Sequence, residues 1–379
     1  MAIKRFLLIP DKFKGSLSAA DVINGLTQSI KNVYPDAYVK GVMASDGGDG
    51  FLAAIQPYRS VQRVMVSTVD ALGRPLDAPI LFDNDEKVAF VELAQASGLA
   101  YLPENQRSPL VTSTIGTGIQ LKKAIDMGAK TIYIGLGGSA TNDGGIGLAT
   151  ALGYCFLDDK NEVLAPIGEN LQKIQKILPP EGPFPLPKII AVNDVDNPLY
   201  GPNGAAAVYA AQKGADAKAI AALDKGLQQL EKITKATLRK DAANLPGSGA
   251  AGGTAYGLKV FVGAEFQSGI GFMLAVAKVA NLLSQKPYDA IITGEGKIDA
   301  QTVQGKLIQG VIDLGARFQV PVIAFCGRLD LDVAQQQLGP QAFIEIGDRS
   351  KSLAYNMENA AMLLQQNCTT YLKTAALWN

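Results

Sequence analysis

The residues best suited to chemistry in this chain lie in short glycine- and acid-rich segments, at positions 11–16, 45–50, 135–145, 193–198 and 294–299. The richest reads Gly135-Leu-Gly-Gly-Ser-Ala-Thr-Asn-Asp-Gly-Gly145. With no Cβ at Gly137, Gly138 or Gly144, backbone N–H groups can come close to a phosphate oxygen. A helix opening just after the segment adds the positive end of its dipole. Ser139, Thr141 and Asn142 bring hydrogen-bonding side chains, and Asp143 brings a carboxylate able to hold a divalent cation. The competing reading is a turn that needs glycine only for close helix–strand packing. Packing alone rarely calls for the Ser-Ala-Thr-Asn-Asp run, so the phosphate reading is preferred.

The other segments carry carboxylates and lysines. Ser45-Asp-Gly-Gly-Asp-Gly50 sets Asp46 and Asp49 three residues apart, which suits Mg²⁺ as well as it suits an Asx turn with a helix cap. Asp194 and Asp196 fall on one side of the backbone if the preceding strand continues. Asp194 can take a hydroxyl proton or ligate a metal, or it can open the turn before Asn197-Pro198. Lys14, just after the first apolar run, can meet a carboxylate or a phosphate, although most lysines are simply surface residues. Glu295 and Asp299 flank Lys297 at a strand end, where a solvated turn is an equally good reading. Together these segments point to an anionic ligand and metal-assisted chemistry.

Composition narrows the choice. The chain has 379 residues and no histidine, so Ser-His-Asp and Cys-His nucleophiles and His-ligated zinc are excluded. Cys155, Cys326 and Cys368 are too scattered for a CxxC motif, and such an odd, sparse set suits a reducing compartment. Lys plus Arg and Asp plus Glu are each 35, which leaves no broad basic field for a nucleic acid or an anionic membrane. The first apolar run stops at Pro10, and the longest apolar stretch, 269–283, carries Lys278; a cytoplasmic protein is expected. The P-loop pattern fails, since Gly305-Lys306 has Ala at 300 and Leu at 307. Gly135-x-Gly137-x-x-Ala140 also fits a dinucleotide fingerprint, with Asp158-Asp159 ending the next strand, and would suggest an NAD-dependent oxidoreductase. The delayed helix after Gly144-Gly145 and the lack of histidine place that reading second. A third reading is a two-lobed, non-catalytic sensor of small acids.

The elements that must position these residues follow a βα grammar at both ends. Phe6-Leu-Leu-Ile9 reads as a buried parallel strand. Ser18 caps a helix whose Val22, Ile23, Leu26 and Ile30 recur at helical spacing. A strand near 38–43 follows. Residues 61–69, 76–82 and 87–93 read as a short-turned antiparallel meander, and the βα style then returns with a helix near 117–127 and a strand at 131–134. A helix is expected over 216–240, a break at 247–257, a helix over 269–284, strands at 290–293, 320–325 and 343–346, and helices over 302–318 and 353–375. The fold class expected is α/β: a flavodoxin-like, doubly wound parallel domain made from residues 1–60 and 287–379, with a second α/β domain, 61–286, inserted. The cleft between the two lobes is the default ligand site.

Several segments, taken in order, resemble the glycerate kinase type 1 family. These are Pro10-Asp-Lys-Phe-Lys-Gly-Ser-Leu-Ser18, Ser45-Asp-Gly-Gly-Asp-Gly50, Gly137-Gly-Ser-Ala-Thr-Asn-Asp-Gly-Gly145, Asp194-Val-Asp-Asn-Pro-Leu199, Gly249-Ala-Ala-Gly-Gly253 and Ile292-Thr-Gly-Glu-Gly-Lys-Ile-Asp299. The resemblance implies phosphorylation of D-glycerate by ATP, in bacteria usually to 2-phosphoglycerate, and a flavodoxin-like domain with an insertion. Lys12, Lys297 and Asn193 depart from the family's usual Ser, Arg and small residue. On general phosphoryl-transfer grounds, Asp194 and Lys14 are the catalytic candidates. Gly137, Gly138, Ser139, Thr141, Asn142, Gly144 and Glu295 are expected on the nucleotide, Asp11, Ser45 and Asp49 on the substrate, and Asp46 and Asp143 on Mg²⁺. The implied partners are small molecules, D-glycerate and ATP, with neither nucleic acid nor membrane.

Overall fold

The computed structural model describes residues 3–43, 50–182, 185–299, 306–331 and 342–374. The chain divides into two compact units, residues 1–45 with 269–379, and residues 46–268. The sequence had placed the crossings near 60 and 286. The observed crossings fall earlier, because the helix Phe51–Ile55 is anchored by Glu92 of the second unit, whose oxygens accept from Gly50 N and Leu52 N at 3.0 Å each, and because the helix Gly269–Val276 packs with the first unit.

The first unit is built on β1 (Arg5–Leu8), β2 (Tyr38–Gly41) and three later strands. Phe6, Leu7 and Leu8 are fully buried, as a continuous apolar run in a doubly covered parallel strand requires. The helix Ala19–Val33 opens on a capping box: Ser18 Oγ accepts from Asp21 N at 3.2 Å, and Ser18 N donates to Asp21 Oδ2 at 3.1 Å. Its buried Val22, Leu26 and Ile30 face the sheet core together with Leu364 and Cys368 of the helix Ala360–Thr374.

The second unit follows in chain order. The antiparallel meander β3 (Gln62–Val69), β4 (Pro75–Asp83) and β5 (Val88–Glu92) turns parallel at β6 (Thr131–Gly135). β7 (Cys155–Leu157) and β8 (Lys176–Leu178) make a separate antiparallel ribbon, and β9 (Lys188–Val192) and β10 (Glu265–Gln267) complete a six-stranded sheet, ordered β10-β9-β6-β5-β4-β3. The long helix Ala217–Leu238 lays Leu223, Leu227 and Leu230 inward.

The chain then returns to the first unit with β11 (Ala290–Asp299), β12 (Val322–Asp330) and β13 (Ala342–Glu345). Its five-stranded sheet runs β13-β12-β11-β1-β2, every pair parallel. Counted in chain order within this unit, that is the flavodoxin-like arrangement 2-1-3-4-5, with the topological switch between β1 and β11. The doubly wound parallel architecture with a second α/β unit is therefore present.

Three local expectations need correction. Residues 294–299 are not a strand-end loop; they continue β11, in register with β12 as far as Asp299 opposite Asp330. Glycine allows this because neighbouring backbone comes very close: a Cβ on Gly294 would lie 2.3 Å from the Phe325 carbonyl oxygen. Residues 247–257 are a break only in their first part: Ala251, Gly252 and Gly253 take left-handed backbone that a right-handed helix cannot contain, and regular helix follows them to Val262. The expected helix over 269–284 is two, Gly269–Val276 and Val279–Gln285, parted by Lys278 at φ 51°. All three cysteines are free; burial pushes the Cys326 and Cys368 thiols up to about 12, so they behave as small apolar residues. Among the described residues no helix is long and apolar enough to cross a membrane.

Candidate functional site

In the second unit, β5, β6 and β9 lie side by side and parallel, Glu92 opposite Gly135 and Gly135 opposite Val192. The segments leaving their carboxyl ends are therefore neighbours, which is where open parallel sheets bind ligands. Residues 136–145 leave β6. Leu136 N donates to the Val192 carbonyl at 3.1 Å, and an isolated bridge joins Ser139 to Gly98. The amides of Gly137, Gly138, Ser139, Thr141, Asn142 and Asp143 reach no acceptor among the described residues. Unpaired N–H groups in succession on a glycine-rich loop form a concavity suited to an anion. Thr141 Oγ1 and both polar atoms of Asn142 are likewise buried and unpaired, an arrangement that costs free energy unless something fills it.

The two glycine pairs divide the labour that the sequence reading gave to one loop. Gly137 is half-buried and Gly138 exposed, and both keep their amides free. Gly144 is different, and its place among the nucleotide ligands needs correction. Its N–H is spent on the Gly252 carbonyl at 3.1 Å, and a Cβ there would lie 2.4 Å from Leu230. Gly252, at φ 66°, returns the contact: a Cβ on it would sit 2.1 Å from the Thr141 carbonyl oxygen. The second pair thus serves packing, and the 249–253 segment is the wall it packs on.

Asp143 organises the loop. Its Oδ2 accepts from Thr114 N at 2.8 Å, Thr114 Oγ1 at 2.7 Å and Gly147 N at 3.2 Å, and its Oδ1 accepts from Gly145 N at 3.1 Å. It is fully buried. Burial raises its proton affinity, and the Thr114, Gly145 and Gly147 donors oppose that. Four protein donors, three of them on Oδ2, give this carboxylate a duty in holding the loop that competes with the expected role of Asp143 as a Mg²⁺ ligand. Asp46, the other expected metal ligand, and Ser45 and Asp49, expected on the substrate, lie outside the described residues. Among the described residues no group of three or more Cys, Asp or Glu is placed to hold a metal ion.

Sequence reasoning missed two residues here. Glu92, 2% exposed, ties Gly50 and Leu52 to the sheet; a lone acid closing the apolar run Val-Ala-Phe-Val was its only signal. Lys213, also 2% exposed, donates to Ser139 Oγ and the Thr141 carbonyl. Burial pushes its ammonium down to about 7, against the pull of the Asp143 charge. Nothing in its Ala-Ala-Gln-Lys-Gly-Ala surroundings marked it. Asp194 follows β9 and is half-buried; Asn193 beside it forms an Asx turn, its Oδ1 accepting from Val195 N at 3.3 Å.

In the first unit, Asp11 and Lys14, in the segment leaving β1, come beside Glu295 in the middle of β11, at the switch point. Asp11 N donates to the Gly294 carbonyl at 2.9 Å, and a Cβ on Gly296 would lie 3.1 Å from Lys14 N. Lys14 is exposed, whereas Lys297 is taken up by Asp299 at 3.1 Å and Asp330 at 3.3 Å, surface pairs of small worth. Glu295 Oε1 is buried without a hydrogen-bond partner among the described residues. Burial, then the charges of Asp11 and Asp299, push its carboxyl up to about 8. At neutral pH it keeps its proton and can donate to an anionic oxygen.

That shift has a testable sign. The folded state holds the proton more tightly than the unfolded chain does, so the stability it lends is complete below pH 4.5 and lost as pH rises through about 8. Glu295→Gln should flatten this part of the pH dependence by ~1–2 kcal/mol, discounted for partial exposure. Thermal unfolding measured from pH 4.5 to 9 reads it; parallel wild-type and variant curves would exclude the shift.

The comparisons with known proteins agree with this geometry. The family model described as the glycerate kinase family matches residues 6–376. A glycerate kinase from Halalkalibacterium halodurans is 37% identical over 98% of both chains. A glycerate 2-kinase from Escherichia coli is 36% identical, covering 87% of this chain and 86% of its own. The crystal structure of a glycerate kinase 2 from Salmonella typhimurium LT2 superposes with a TM-score of 0.80 at 33% identity, over 98% of each chain.

Proposed function

From the premise that the chain belongs to the glycerate kinase family and is an enzyme of that activity, we propose that it transfers the γ-phosphoryl group of ATP to the C2 hydroxyl of D-glycerate, in the cytoplasm. The observation that carries the proposal is the set of amides at Gly137, Gly138, Ser139, Thr141, Asn142 and Asp143, unpaired among the described residues, at the carboxyl edge of β6. These amides, foremost Gly137, Gly138 and Ser139, receive phosphate oxygens. Asp194 takes the proton of the attacking hydroxyl as its oxygen bonds to phosphorus and the bond to ADP breaks. Lys14 meets the glycerate carboxylate, and protonated Glu295 donates a hydrogen bond to an anionic oxygen. Magnesium enters only as the ion carried by ATP, whose charge it offsets; no step is assigned to it.

ADP release measured with and without D-glycerate, with the product identified by NMR, tests the reading. Glycerate-dependent ADP release with phosphate on C2 is expected. Phosphate on C3 would overturn the regiochemistry. Thermal protection by NAD(H) without ATP turnover, or glycerate binding with no ADP formed, would overturn the transfer itself.

A further inference from the structure

A lysine 2% exposed is an expensive way to fill space. Methionine or leucine would occupy the same volume without desolvating a charge. Lys213 closes the short 3₁₀ turn Ala211–Lys213, and its side chain reaches a segment more than seventy residues earlier in the chain. Nζ donates to Ser139 Oγ at 2.8 Å and to the Thr141 carbonyl oxygen at 2.7 Å. An ammonium has three N–H donors, and no further acceptor for it is found among the described residues. The bridge spans the stretch whose amides at Ser139 and Thr141 are unpaired, beside the unpaired polar atoms of Thr141 and Asn142. A loop with so many unmet donors would collapse onto its own carbonyls unless something held it open.

We infer that Lys213 is a positioning residue for phosphoryl transfer: by bridging Ser139 and Thr141 it keeps the 137–143 amides in a shape that an anionic oxygen can occupy. The inference rests on the proposed function and deepens it. Lys213 acts through the loop and does not touch the substrate.

The test compares wild type with Lys213→Met and Lys213→Gln. Affinities for adenosine, ADP and ATP are measured by calorimetry, KM and kcat for both substrates by coupled assay, and folding by circular dichroism. Lys213→Met should raise the KM for ATP by about tenfold or more and abolish most of the affinity gained between adenosine and ATP. Adenosine affinity and the KM for D-glycerate should stay within about twofold. Lys213→Gln, which can still donate one hydrogen bond, should fall between. If Lys213→Met does not fold, Lys213→Gln decides. An unchanged adenosine-to-ATP gain in a folded variant, or failure of both variants to fold, would overturn the inference and leave Lys213 a core residue. Wild type inactive with ATP and glycerate would instead overturn the functional reading on which it rests.

Discussion

Replacing Asp143 by alanine is expected to lower the stability of the protein by ~3–5 kcal/mol, a fall in unfolding temperature on the order of 10 °C. The side chain is fully buried and satisfies Thr114 N, Thr114 Oγ1, Gly145 N and Gly147 N at once. Its loss strands those donors away from water, and it removes the charge that faces the buried Lys213. The Thr114 hydroxyl also receives Leu148 N at 2.9 Å, so the damage spreads into the first turn of the helix Ile146–Ala151. Asp143→Asn should be less severe, since one oxygen still accepts. Thermal unfolding with and without Mg²⁺ separates this duty from metal binding. A structural carboxylate predicts a deficit that added Mg²⁺ does not alter. A variant that melts like wild type and regains activity at high Mg²⁺ would return Asp143 to the metal.

Asp194→Asn should reduce kcat by ~10²–10⁴, the usual worth of a positioned general base. The unfolding temperature should hold within about 2 °C, the modest effect expected for a half-buried residue outside the core. The KM for ATP should change little, because the phosphates are held elsewhere in the proposal. Lys14→Ala is expected to act differently, raising the KM for D-glycerate and also lowering kcat, since a misplaced carboxylate misaligns the hydroxyl. Steady-state kinetics with both substrates varied would read the two patterns. A kcat near wild type for Asp194→Asn would remove it as the base; Glu295, which holds its proton up to about 8, would not replace it at neutral pH.

The sequence by itself determined the elements and the chemistry they carry. The run Phe6-Leu-Leu needed burial on both faces and obtained it. Ser18 and Asp21 wrote the start of a helix. The short turns between 61 and 93 required an antiparallel meander. These are local matters, settled by side-chain type and spacing over a few residues. The absence of histidine and the ordered motifs of one family were equally plain without coordinates.

Tertiary structure alone decided which glycines bind and which pack, and which polar residues are props. Gly138 and Gly144 look alike in sequence. Only the approach of Gly252 and Leu230, from segments far along the chain, spends Gly144 on packing and leaves Gly138 open. Residues 294–299 read as a loop because glycine and charge usually mean solvent, yet the register with β12 makes them strand. Asp143 became an anchor, and Lys213 and Glu92 acquired their parts, because long-range contacts choose among the hydrogen-bond partners a residue type permits. Local sequence fixes what a side chain is able to donate or accept, while the partners it meets are set by chain crossings that no short window contains.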